Sequence, residues 1–171
     1  MLDRQQILAL IPQQGSMCLL DAMQWWTEMR IRCQTRSHLA ADNPLRLGQR
    51  LAGVAGVEYG LQAMALHGAL LQGGALIPVG LLVRLENARI LLDRLDDPAL
   101  GTLAVEAELE HRESFGMIYK FSISSGTGHL LVAGKGTIIQ PAGTRFTAPG
   151  ESEAGPNALG RALARDGEAT A

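Results

Sequence analysis

An α+β domain, with one antiparallel sheet curved about a single long apolar helix, is predicted from three features of the 171-residue sequence. The first is the run over residues 51–72, LAGVAGVEYGLQAMALHGALLQ, the longest helix-compatible stretch and free of proline. The second is a set of later segments that alternate apolar and polar residues with a period of two. The third is the order of these elements. Strands are grouped on either side of one helix instead of alternating with helices, which argues against a doubly wound sheet.

The helical run is apolar all round, as a core helix is. Only Glu58, Gln62 and His67 interrupt its apolar surface, and Glu58 is its only charged residue. Buried carboxylates are rare unless paired or used, so Glu58 stands out as a candidate for chemistry. The competing reading is favourable placement near a helix start, which weakens at a position six residues into an apolar helix. Gly53, Gly56, Gly60 and Gly68 each cost up to about 1 kcal/mol of helix stability relative to alanine. Small residues let other backbone approach, so a tightly wrapped helix is expected. The bare apolar stretches between the polar residues fall short of the roughly 20 residues a membrane span requires.

In chain order, residues 3–10 read as a short amphipathic helix capped by Asp3 and ended by Pro12. IPQQGSMCLLDAMQWW then passes through a turn at Gln14-Gly15-Ser16 into an apolar strand. Residues 29–38 form a half-buried strand, with Ile31, Cys33 and Thr35 on one face and Arg30, Arg32, Gln34 and Arg36 on the other. Residues 41–50 are a loop by their Asn-Pro and Gly content, and Gly73-Gly74 stops the long helix. Residues 76–92 are one long strand or two, with Pro78 and Gly80 near the start. Residues 102–112 place Leu103, Val105, Ala107 and Leu109 inward and Glu106, Glu108 and Glu110 outward. Segments 115–124 and 130–140 complete a meander about the Ser125-Gly126-Thr127-Gly128 turn. A single sheet curled about one apolar helix is the hot-dog fold. Residues 1–140 are assigned to this domain. Residues 141–171, rich in Gly, Pro, Ala, Thr and Glu, are expected as a flexible or weakly helical tail.

A net charge of -2 with no basic run gives no sign of nucleic-acid or membrane-surface binding. Two cysteines, Cys18 and Cys33, are too few for a disulfide scaffold and lack metal-ligand spacing. No metal or other cofactor is expected. The N-terminal segment does not read as a signal peptide, so a cytoplasmic location is expected. Trp25-Trp26, unusual in a chain with 4% aromatic residues, suggests either an interface or tunnel wall or ordinary edge packing.

Two segments carry a family resemblance over roughly residues 5–140. IPQQGSMCLLDAM resembles the N-terminal signature of 3-hydroxyacyl-ACP dehydratases, in which a Pro-His-Arg turn leads into an apolar Leu-Leu-Asp strand. AGVAGVEYGLQAMA resembles that family's core-helix segment, an apolar stretch followed by an acid and, one turn later, a glutamine. The subgroup it is most similar to comprises the dehydratase-like hot-dog proteins of aryl-polyene and related polyketide or fatty-acid pathways. The resemblance implies Glu58 as the catalytic acid and Gln62 as the glutamine on the same helix face. Gly53, five residues before the acid, stands where the family uses a backbone N–H to polarise a thioester carbonyl. It also implies an acyl-ACP or acyl-CoA ligand and a dimer, either a homodimer or a heterodimer with another hot-dog protein.

The departures are as specific. The family's Gly-His-Phe-Pro-Gly loop ahead of the helix is here NPLRLGQRLAG, shorter, with Gln49 or Arg50 where histidine is expected. The histidine of the N-terminal turn is replaced by Gln13. Dehydration needs a base for the α-proton and an acid for the leaving hydroxyl, and glutamine can be neither. His38, just ahead of the loop, is the histidine that could reach the site if the chain folds back. His67 points to the opposite side of the helix from Glu58, and His111 and His129 sit beside turns. Two rival readings follow. One is a hot-dog thioesterase, in which a helix carboxylate suffices. The other is a non-catalytic partner subunit of a heterodimeric dehydratase.

Overall fold

The computed structural model describes residues 1–73, 81–113 and 116–139. Among these residues seven strands form one sheet: β1 (Leu2–Asp3), β2 (Ala22–Trp26), β3 (Arg30–Thr35), β4 (Leu81–Ile90), β5 (Leu103–Glu113), β6 (Gly116–Ser124) and β7 (Leu130–Ile139). Their order across the sheet is β1-β2-β3-β5-β6-β7-β4, and every pairing is antiparallel. A short helix, α1 (Arg4–Leu8), precedes β2, and the long helix, α2 (Gly56–Leu71), lies against β3, β5, β6 and β7. This is the hot-dog arrangement. The expected strand start at Pro78 and Gly80, the helix-stop glycine Gly74, Phe115, Gln140 and the tail over 141–171 lie outside the described residues.

Local signals place most elements. Asp3 caps α1 through a reciprocal pair: its carboxylate accepts from Gln6 N–H, and its own N–H donates to Gln6 Oε1, both at 2.9 Å. Ile31, Cys33 and Thr35 on β3 stand opposite Ala107, Val105 and Leu103 on β5, and all six are buried. The same period that marks each strand therefore also stacks the inward rows over α2. Gly73 closes the helix in the left-handed region, at φ 76°.

The helix sits closer to the sheet than alanine would permit. A Cβ on Gly60 would lie 2.3 Å from Cδ2 of Phe121 on β6, and one on Gly56 would lie 2.7 Å from Cγ2 of Val132 on β7. The glycines that weaken the isolated helix are thus the ones that let it seat. His67, on the buried side, bonds Tyr119 Oη at 2.9 Å and the Thr27 carbonyl at 2.8 Å, so its place is in the core packing.

Three segments differ from the sequence expectation for physical reasons. Cys18, Leu19 and Leu20 are fully buried but are not strand, because the Leu19 N–H bonds the side chain of Gln62 rather than a neighbouring strand. The register shift between Met23 and Trp25 leaves both Trp25 and Trp26 partly exposed, with Trp26 edge-on to His67. Among the described residues β4 pairs with β7 alone, at one end of the strand order, and its apolar side chains are exposed: Leu81 and Val83 are 50% and 53% exposed.

Candidate functional site

The helix run begins as a 3₁₀ turn, Gly53–Ala55, and becomes α-helical at Gly56. Glu58 therefore lies in the first α-helical turn, not six residues in, at the positive end of the helix dipole. One side of this end is not covered by the sheet. Val57, Glu58, Leu61 and Ala65 are half-buried, and Val54 is 57% exposed.

Gln62, one turn after Glu58, is wholly buried and uses its whole amide. Its Oε1 accepts from Leu19 N–H at 2.8 Å, while its Nε2 donates to the Met17 carbonyl at 2.8 Å and to Glu58 Oε1 at 3.0 Å. A backbone N–H can only donate, which settles which end of the amide faces Glu58. A second amide reaches the same oxygen: Gln13 Nε2 donates to Glu58 Oε1 at 3.2 Å. Two N–H groups thus converge on Oε1, and among the described residues none reaches Oε2.

The other residues singled out in the sequence take different places. The Gly53 N–H donates to the Asp93 carbonyl at 3.0 Å, which ties the turn to the chain after β4 and occupies the very N–H the family resemblance reserves for a carbonyl. The Val54 N–H beside it has no partner among the described residues. Gln49 lies in a loop held by arginines. Its carbonyl accepts from Arg46 Nη1 at 3.3 Å and Arg94 Nη2 at 3.5 Å, and no hydrogen bond joins it to Glu58. The nearly buried Asp96 carboxylate anchors both arginines, and its bond to Arg94 holds it well below the usual carboxylate range.

His38 is not on the surface. It sits in a 3₁₀ turn (Ser37–Leu39), fully buried, with neither ring nitrogen hydrogen-bonded among the described residues. Burial, assisted by Arg36, lowers its pKa to about 4, so the ring is neutral. It makes no hydrogen bond to Glu58, Gln62 or Gln13. The same turn is fastened to α2 through Tyr59, whose hydroxyl lies 3.1 Å from Ser37 Oγ and 3.0 Å from Asn43 Nδ2. His111 and His129 are exposed.

A trough of about 660 Å³ lies across the sheet, lined in part by Trp25, Arg30, Glu108, Lys120 and Lys135. Its charges are already matched across strands: Arg30 to Glu108 at 3.0 Å and Lys135 to Glu110 at 2.7 Å. Lys120 and Lys135 together hold the Glu110 carboxyl down to about 2. Glu58 does not line this trough. Among the described residues no cluster of His, Cys, Asp or Glu is arranged to hold a metal ion, and no helix is long and apolar enough to cross a membrane.

The residue the sequence undervalued is Gln13. Its position marks a departure from the family's N-terminal turn, which reads as a lost histidine. Contact with an acid 45 residues away leaves no trace in local periodicity.

One long helix wrapped by a curled antiparallel sheet defines a hot-dog protein. The chain belongs to the ApeP-like family: its model, ApeP dehydratase, matches residues 5–148. No curated protein matches the chain. Among solved structures, it is similar to the dehydratase heterocomplex ApeI:P from Xenorhabdus doucetiae, at 19% identity and a TM-score of 0.70, covering 84% of this chain and 94% of that one. It also resembles the thioesterase SAV0944 from Staphylococcus aureus, at 18% identity and a TM-score of 0.51 over 70% of this chain and 93% of that one. The E. coli PaaI protein of the phenylacetic acid degradation operon shares 14% identity, with a TM-score of 0.50 over 69% and 81% of the two chains. At these identities the structural likenesses establish the fold.

Proposed function

We propose that this chain binds 3-hydroxyacyl chains carried on an acyl carrier protein and takes part in their dehydration to enoyl chains, as one subunit of a hot-dog dimer. The observation that carries this reading is the Glu58 carboxyl, with Oε1 held by Gln13 and Gln62 and Oε2 left open. In the proposed step Oε2 gives its proton to the C3 hydroxyl and the C3–O bond breaks with loss of water. The electrons of the C2–H bond become the double bond, and the C2 proton passes to a base. Gln62 and Gln13 keep the carboxyl turned, which preserves the orientation on which proton transfer depends. With the Gly53 N–H engaged by Asp93, the Val54 N–H is the donor in this turn that supports a role in polarising the thioester carbonyl.

Two uncovered surfaces support the dimer. Among the described residues β4 has one edge unpaired, with exposed Leu81, Val83 and Leu85, and the half-buried stripe along α2 contains Glu58 itself. A second hot-dog chain would cover both and enclose the carboxyl in a tunnel.

The reading that this chain is the supporting subunit of a heterodimer draws on one further observation. No histidine is hydrogen-bonded to Glu58 among the described residues, and glutamine cannot take the C2 proton, so a partner would supply the base. ApeI:P is itself a heterocomplex. Mass spectrometry of 3-hydroxyacyl-ACP incubated with the purified chain separates the cases. Loss of water by the chain alone supports a self-sufficient dehydratase. Loss of water only after a second hot-dog protein is added supports the supporting subunit. Release of the whole acyl group makes it a thioesterase and overturns the dehydratase reading.

A further inference from the structure

We propose that β4 pairs along its free edge with β4 of a second copy of this chain, antiparallel about a two-fold axis at Leu85, so that Arg84 of each copy stands opposite Glu86 of the other. The inference rests on the dimer proposed above and names the second chain and the register that selects it.

Among the described residues this edge lacks a cover on the face that turns towards the helix. Gly136 on β7 stands opposite Leu85, and a Cβ on Gly136 would meet Met64 Cε of α2 at 2.7 Å and Leu82 Cδ1 at 3.4 Å. Directly opposed residues share a face, so Leu82 and Leu85 both point to the helix side of the sheet. Ile90 does the same further along, its Cγ2 lying 3.0 Å from where a Cβ on Gly53 would be. These three are nevertheless 39%, 41% and 42% exposed, whereas the inward row of β5, Leu103, Val105, Ala107 and Leu109, is buried. An apolar helix-side row left this open at one end of a sheet is the mark of a surface that another chain covers.

Charge then selects which chain. The pairing of β4 with β7 shifts register between Leu82 and Arg84 and again between Glu86 and Arg89, so Arg84-Leu85-Glu86 is the regular stretch between them. A two-fold axis normal to a continuous sheet leaves each face on its own side, so two copies of this stretch can be centred only on a residue. Centring on Arg84 sets arginine against arginine, and centring on Glu86 sets glutamate against glutamate. Centring on Leu85 sets both arginines against glutamates on the outer face and brings the two leucines together on the helix side. Arg84 and Glu86 are paired within the strand at 3.2 Å, so the dimer joins two such pairs into a square of alternating sign. Lys135, opposite Glu86 on β7, is engaged by Glu110 at 2.7 Å. Opposite charges directly across a ladder stabilise it, and like charges destabilise it.

The test is the mass of the full chain by sedimentation velocity, with circular dichroism as the folding check. The wild type is expected to be a dimer. Arg84→Glu and Glu86→Arg each turn both opposed pairs repulsive and should weaken association by about tenfold or more. The exposed pair within the strand is worth little, so both variants should stay folded. The double swap, Arg84→Glu with Glu86→Arg, restores both opposed pairs and should restore the dimer. An equal mixture of the two single variants should also dimerise, because each then offers the charges the other lacks. A monomeric wild type, single variants as dimeric as the wild type, or single variants that stay apart when mixed each overturn the proposal. A wild type that dimerises only with another hot-dog protein overturns it as well. None of these outcomes decides the dehydratase reading, which is tested separately by loss of water from 3-hydroxyacyl-ACP.

Discussion

Gln62 Nε2 lies 3.0 Å from Glu58 Oε1, one helical turn back, and the same nitrogen donates to the Met17 carbonyl at 2.8 Å. One side chain thus fastens the N-terminal segment to the helix and aims the carboxyl of the site, so its two roles separate only by measurement.

Glu58→Gln keeps volume and an oxygen for both amide donors while removing the proton. In the assembled protein, turnover is expected to fall by about 100-fold or more, with an unchanged circular dichroism spectrum. Wild-type turnover by the variant would leave Glu58 a structural role only.

Gln62→Leu leaves the Leu19 N–H and the Met17 carbonyl without their partner in a buried setting. A loss of about 2–3 kcal/mol in urea unfolding is expected. A loss under about 0.5 kcal/mol would mean the segment repairs its bonds elsewhere.

Gly60→Ala raises helix propensity by about 1 kcal/mol yet should destabilise, because the added Cβ meets Phe121 Cδ2 at 2.3 Å. Overpacking of this kind costs about 1–3 kcal/mol. A higher melting temperature for the variant would show that the ring can move aside.

His38 predicts a pH dependence. Its ordinary pKa of 6.5 is lowered to about 4 in the folded chain, so between those values the unfolded state binds more protons. Its contribution to stability is therefore whole above pH 6.5 and is lost as pH falls from 6.5 towards 4. Melting curves of His38→Phe should fall less steeply across that window than those of the wild type. Parallel curves would remove His38 as the source.

Val83→Lys places a charge on the exposed edge strand β4, where Val83 is 53% exposed. Light scattering should then report a smaller assembly than the wild type, with little change in secondary structure. An unchanged mass would move the interface off this edge.

The sequence by itself determined the elements and their class. Alternation in Ile31-Cys33-Thr35 and Leu103-Val105-Ala107-Leu109, and the proline-free apolar run ending at Gly73, depend on periods of two and 3.6 residues that a chain displays locally. It also singled out Glu58 and Gln62, because a lone acid and an amide one turn apart are conspicuous in an apolar helix. Only the tertiary structure decided what surrounds them. It gave the Gly53 N–H to Asp93, kept Gln49 with Arg46 and Arg94, buried His38, and brought Gln13 against Glu58. Each of those contacts joins groups through the path of a loop or the closing of the sheet around the helix. Hydrogen bonding is so short in range that a difference of an ångström or two in that path decides which N–H or carbonyl is met.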